Sequence, residues 1–177
     1  MSVLRFGLLL MFSVAVATSG LAETSQARLP DWQVRDGNNV DRSLHEALPS
    51  DGQLLGVVIS ETAENGEMQL AALLRTQAEL TAAGVEGIKH LHVIAGAPRL
   101  VQGFIRRGIR NAYADDFDEA DILMVFPSDN EQWLADTDLA VTEQALWLWV
   151  EADAAIRWAE RDAGEGTATR LLSRLSF

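Results

Sequence analysis

Leu54-Leu55-Gly56-Val57-Val58-Ile59 is an unbroken apolar run. A strand with one wet face would alternate apolar and polar residues. A run with no polar member suits a strand covered on both faces, as in a parallel sheet flanked by helices. The chain downstream fits that reading. From Asn65 to Ala83, Leu70, Leu73, Leu74 and Leu80 recur at helical spacing, and Gly84 supplies a stop. Lys89 to Ile94 predicts the next strand, broken by Ala95-Gly96-Ala97-Pro98. Arg99 to Tyr113 predicts a second long helix, and Ile122 to Phe126 a strand stopped by Pro127. Parallel strands need crossover connections, and these helices supply them.

Upstream, Asp31-Trp32-Gln33-Val34, the turn signal Asp36-Gly37-Asn38-Asn39 and Val40 predict a short hairpin. Ser43 can cap a brief helix through Leu48, which Pro49-Ser50-Asp51-Gly52 ends. Downstream, Ala145 to Val150 and Ala155 to Ala159 predict a closing hairpin, and Thr167 to Ser176 a last helix. Trp147 and Trp149 share one strand face, opposite Leu146, Leu148 and Val150. Ile156 and Trp158 are expected to share a face of the partner strand. The expected fold class is α/β: one three-layer domain, with an N-terminal hairpin and a closing antiparallel hairpin. It spans residues 30–177, after a flexible lead-in at 23–29.

Residues 1–22 read as a secretory signal peptide. Arg5 is a short positive start, Phe6 to Ala17 is almost wholly apolar, and Gly20-Leu21-Ala22 fits small-x-small cleavage after Ala22. The apolar run is shorter than the ~20 residues a spanning helix needs. Export to the periplasm is expected, with no membrane attachment after cleavage. Cleavage removes Arg5 and no acid, taking the net charge from −12 to −13.

Composition excludes whole classes of chemistry. The 177 residues include no cysteine, so no disulfide, thiolate metal site or thiol nucleophile can form. A pI near 4.5 gives no drive toward a phosphate backbone, so nucleic acid is not an expected partner. P-loop, dinucleotide, Gly-x-Ser-x-Gly and His-Glu-x-x-His patterns are all absent, and no cofactor is expected.

Gly103-Phe104-Ile105-Arg106-Arg107, Asp121 to Phe126 with Pro127-Ser128-Asp129-Asn130, and Leu139 to Trp158 with Thr142-Glu143-Gln144 carry a resemblance. They are similar to the YtfJ-type periplasmic proteins of the thioredoxin-like and peroxiredoxin-like superfamily. The resemblance implies compartment and fold and brings no catalytic motif. In active thioredoxins the redox Cys-x-x-Cys sits where the first buried strand enters its helix. This chain has Ser60-Glu61-Thr62-Ala63-Glu64-Asn65 there, and Gln144 near the position of their cis-proline. Thiol–disulfide exchange needs a thiolate, so that activity is ruled out by composition.

Four features remain as candidates. Thr62 and Asn65 lie at a helix start that can hold an anion or a peptide carbonyl, or simply cap the helix. With Gln144, they mark the peptide groove that the resemblance implies. Arg99, Arg106, Arg107 and Arg110 fall on one side of their helix. Val101, Phe104, Ile105, Ile109 and Ala112 fall on the other as its expected core face. The arginine strip can bind carboxylate or phosphate, or stand in solvent balanced by Asp115, Asp116, Asp118, Glu119 and Asp121. His90 and His92 share one strand face, as the start of a metal site or as hydrogen-bonded structural groups. A third ligand would come from His45 or a carboxylate. The leading expectation is a redox-inactive domain that binds a periplasmic protein or peptide. The alternative is a metal-assisted or other non-thiol enzyme built on the two histidines.

Overall fold

A computed structural model describes residues 27–49, 51–113, 117–127 and 143–175. The expected signal peptide and most of the lead-in lie outside the described residues. The elements are β1 (Gln33–Asp36), β2 (Asp41–Ser43), α1 (Leu44–Ala47), β3 (Gln53–Ser60), α2 (Ala63–Ala82), β4 (Lys89–Ile94), α3 (Arg99–Ala112), a 3-10 turn (Glu119–Asp121), β5 (Ile122–Val125), β6 (Leu146–Val150), β7 (Ile156–Arg161) and α4 (Thr167–Leu175). The described strands form one sheet in the order β2-β1-β5-β4-β3-β6-β7. Strands β3, β4 and β5 are parallel, while β1 and β6 run antiparallel to their neighbours. The α/β domain with two antiparallel hairpins is the one the apolar runs predict.

Every residue of β3 is buried, because the sheet carries a core on each face. Leu55, Val57, Leu91, Val93, Leu123, Leu146 and Leu148 form one core with Leu44 and Ala47 of α1. Leu54, Val58, Ile122, Met124 and Trp147 form the other with Leu70, Leu73 and Leu80 of α2 and Leu171 of α4. Successive strand residues alternate between the two. Ser43 caps α1 in a full capping box with Glu46. Gly37 donates its N–H to the Glu119 carbonyl at 2.8 Å. A Cβ at Gly37 would stand 2.5 Å from that oxygen, so the turn between β1 and β2 requires glycine there.

Three expectations are corrected. Ile156 and Trp158 do not share a face. A bulge pairs Trp149 with Trp158 but Val150 with Ile156, leaving Arg157 as the extra residue. Ile156 therefore joins the core of Leu148 and Val150, and Trp158 packs on the core of Trp147. The described end of the lead-in is tied down. Arg28 bridges Ala155, Leu29 is 1% exposed, and Ile156 donates its N–H to the Ala27 carbonyl at 2.7 Å. Finally, α3 contributes no buried residue, and Phe104, expected in its core face, is 75% exposed.

Candidate functional site

The end of β3 and the start of α2 make the first part of the site. Thr62 is the N-cap in extended conformation, and its Oγ1 accepts the Asn65 N–H at 3.3 Å. Asn65 lies inside the helix. Its Oδ1 accepts from Gln69 Nε2 at 2.9 Å, so both residues are committed to local order. Gln69 is the residue that sequence reasoning missed. It is 1% exposed, donates Nε2–H to the Ile59 carbonyl at 2.8 Å and accepts the Ile59 N–H at 3.0 Å. The pairing of β3 with β6 ends at Val57↔Leu146, and Gln69 serves both backbone groups of Ile59 beyond that end. Gln69→Leu strands these two buried groups and is expected to cost about 2 kcal/mol, since each unpaired group carries a desolvation penalty. Urea titration checks this; an unchanged midpoint would contradict the role.

Beside this entry lies a cavity of about 630 Å³. Thr62, Gly66 and Leu70 of the α2 region, His92 and Ile94 of β4, and Val101, Ile105 and Ile109 of α3 line it. Its α3 wall includes the small residues Gly108 and Ala112, while Gly66 lets α2 lie close to the end of β3, where a Cβ would stand 3.1 Å from Ser60 Oγ. The helix α3 also starts without a side-chain cap at Pro98 and carries Gly103 and Gly108 in its interior. Its hold on the sheet comes from few groups. The cavity joins Thr62 to the histidine strand. Gln144, exposed before β6, is not among its lining residues, so the expected grouping of Thr62 with Gln144 is not what encloses the space.

His90 and His92 do point to one face, and Tyr113 meets them there. The Tyr113 hydroxyl lies 2.6 Å from His90 Nδ1 and 2.7 Å from His92 Nε2. One hydroxyl has one proton. It donates to one ring and accepts an N–H from the other. Phe117 stacks on His90 with ring centroids 5.2 Å apart, and the Trp147 edge closes at 6.1 Å. Burial holds the His92 pKa down to about 3 and His90 well below its usual value, and pushes the Tyr113 hydroxyl well up. All three groups are neutral at physiological pH. Among the described residues no group of three or more His, Asp or Glu side chains could hold a metal ion. His45 bonds the Leu29 carbonyl from α1, which packs into the other core. Among the described residues, no third ligand of the kind the metal alternative requires stands beside the two histidines.

The arginines do not form one free strip. Arg110 donates to the Gly37 carbonyl at 3.0 Å and pairs with Glu119 at 3.6 Å, tying α3 to the β1–β2 turn. Arg106 lies over the Phe126 ring at 5.7 Å. Arg99 and Arg107 are exposed. Two members therefore hold the fold and two face solvent. The balancing acids Asp115 and Asp116 lie outside the described residues.

Chemically, the cavity offers an apolar interior, the hydroxyls of Ser60 and Thr62, the carboxylates of Glu61 and Glu67, and a neutral imidazole already bonded to Tyr113. That set suits binding. No family model matches this chain, and no curated protein matches it. Solved structures do. BsSco, a member of the Sco family of cytochrome c oxidase assembly proteins, aligns with a TM-score of 0.60 at 13% identity over 85% of this chain and 92% of its own. Arabidopsis thaliana ScoI with copper bound aligns at 0.59 and 7% identity, over 84% and 98%. The thioredoxin domain of a thiol-disulfide oxidoreductase from Bacteroides vulgatus aligns at 0.53 and 10%, over 86% and 97%. At such identities the likeness concerns the fold: the chain has a thioredoxin-like α/β fold, and it carries that fold with no cysteine.

Proposed function

We propose that this protein is an exported, redox-inactive binding domain on a thioredoxin-like scaffold. It takes an apolar ligand, or an apolar side chain of a peptide, into the cavity beside Thr62. The observation that carries the reading is the position of that cavity. It opens at the helix entry where active thioredoxins hold their thiols, and here that entry is Ser60 to Asn65 with no nucleophilic sulfur. The signal-peptide pattern of residues 1–22 and the YtfJ-type resemblance support a periplasmic setting. No helix among the described residues is long and apolar enough to cross a membrane. Exposed Arg99 and Arg107 would meet carboxylates of a bound partner.

Gly108 provides the test. It lines the cavity, and a Cβ there meets nothing within 4 Å. Gly108→Leu puts a side chain where the ligand would sit. It also removes a helix-interior glycine, which stabilises by roughly 0.5–1 kcal/mol. Gly103→Ala makes a similar helix gain at an exposed position away from the cavity. With the neutral apolar fluorophore N-phenyl-1-naphthylamine, wild type and Gly103→Ala are expected to bind saturably and alike. Gly108→Leu is expected to bind about tenfold more weakly while melting at a higher temperature. Equal binding by all three, or no saturable binding by wild type, would remove the proposal.

A further inference from the structure

A second cavity, of about 810 Å³, lies farther along the groove between α2 and α3. Leu74, Ala78 and Val85 form its α2 side, and Phe117 and Tyr113 the side beyond α3. Its volume falls in the range that holds small organic ligands. One polar group in its wall is out of balance. Gln77 lines the cavity, and its Oε1 is buried with no hydrogen-bond donor. Buried acceptors are nearly always paired, so an unpaired one beside a cavity marks where a donor belongs. Three of the polar groups that line it are already engaged, Asp118 with the Ala120 N–H among them. The Tyr113 hydroxyl is shared by His90 and His92, and Asp121 is paired with Lys89. The Phe117 and Tyr113 rings stand 4.8 Å apart at 33°, giving the site an aromatic wall.

We infer that this second cavity binds an aromatic, otherwise apolar molecule carrying one O–H or N–H donor, which it gives to Gln77 Oε1. Aromatic rings pack edge-on or offset against Phe117 and Tyr113. An acceptor-only or purely hydrocarbon molecule would fill the same space and leave Gln77 unpaired, at a loss of affinity. This site shares only Ala112, among the described lining residues, with the one beside Thr62, and its ligand class follows from Gln77 and the Phe117–Tyr113 wall.

The matched probes are 2-naphthol and 2-methoxynaphthalene, which differ in the donor. Binding is followed by fluorescence and by amide shifts of Phe117 and Tyr113. Wild type is expected to bind 2-naphthol about tenfold more tightly. Gln77→Leu preserves side-chain bulk and removes the unpaired acceptor, so it folds, and its preference is expected to fall to about one. Ala78→Trp, on the exposed side of α2, is expected to weaken both probes. Gly108→Leu fills the other cavity and is expected to leave the preference intact. Equal affinities in wild type, a preference that survives Gln77→Leu, or one abolished by Gly108→Leu would each overturn the inference. Loss of fluorophore binding at the first cavity would not affect it.

Discussion

Tyr113→Phe is expected to lower the unfolding free energy by about 3 kcal/mol at pH 7.5, because it leaves two buried ring nitrogens unpaired at once. The hydroxyl is the partner of both His90 Nδ1 and His92 Nε2, and His90 Nε2 already has none. Phenylalanine preserves the ring contacts with Phe117 and His90, so the change isolates the hydrogen bonds. The same cluster sets an acid limit. Both histidines titrate far below 6.5 in the folded chain, His92 at about 3. Below pH 6.5 the unfolded chain takes up protons that the folded chain refuses. Stability from these groups is complete above pH 6.5 and falls as pH drops toward 3, by about 1.4 kcal/mol per pH unit for each histidine. Urea midpoints are expected to fall steeply between pH 6.5 and 4.5, and His92→Gln is expected to halve that slope. Acidic side chains with lowered pKa values, Asp31 and Asp41, act only below about pH 4, outside this window. A flat profile from pH 7.5 to 5 would show that the pair is not held neutral.

Trp147→Ala is expected to cost about 4 kcal/mol, the range for removing a large buried aromatic. Trp147 is 0% exposed at the centre of the core shared by β3, β6, α2 and α4. Its Nε1–H donates to Asp162 Oδ2 at 3.2 Å, and Asp162 also receives the Gly164 N–H at 3.0 Å. Alanine removes the packing and one donor to a nearly buried carboxylate. Guanidinium unfolding reads the loss, and Trp147→Phe is expected to restore roughly half. A change below about 1 kcal/mol would mean that the core closes over the gap.

Much of this was legible in the residues themselves. Apolar runs and helical spacing place β3, α2, β4, α3 and β5, because those periods express burial on one or both sides. The shared face of His90 and His92 follows from strand alternation. What alternation does not convey is a change of its own phase. The bulge at Trp149 and Val150 inserts Arg157, and Ile156 and Trp158 part to opposite cores. Phe104 shows the converse error. Its angle on α3 is right for an inward face, but α3 has no fully buried residue and only Ile109 packs on the core, so angle alone does not make a core residue. Gln69 and Gln77 gave no signal, since glutamine is an ordinary helix residue and only tertiary neighbours decide whether its amide is used.

The sequence by itself determined the strand and helix order and, through zero cysteines, the absence of thiol chemistry. Both depend on residue type or on local period. Only the tertiary structure decided that Tyr113 bridges two histidines more than twenty residues away, that Arg106 and Arg110 hold the fold while Arg99 and Arg107 face solvent, and that two cavities separate α2 from α3. A cavity is the space left between side chains of distant segments. Its volume depends on how far apart those segments rest, and no local pattern records that distance.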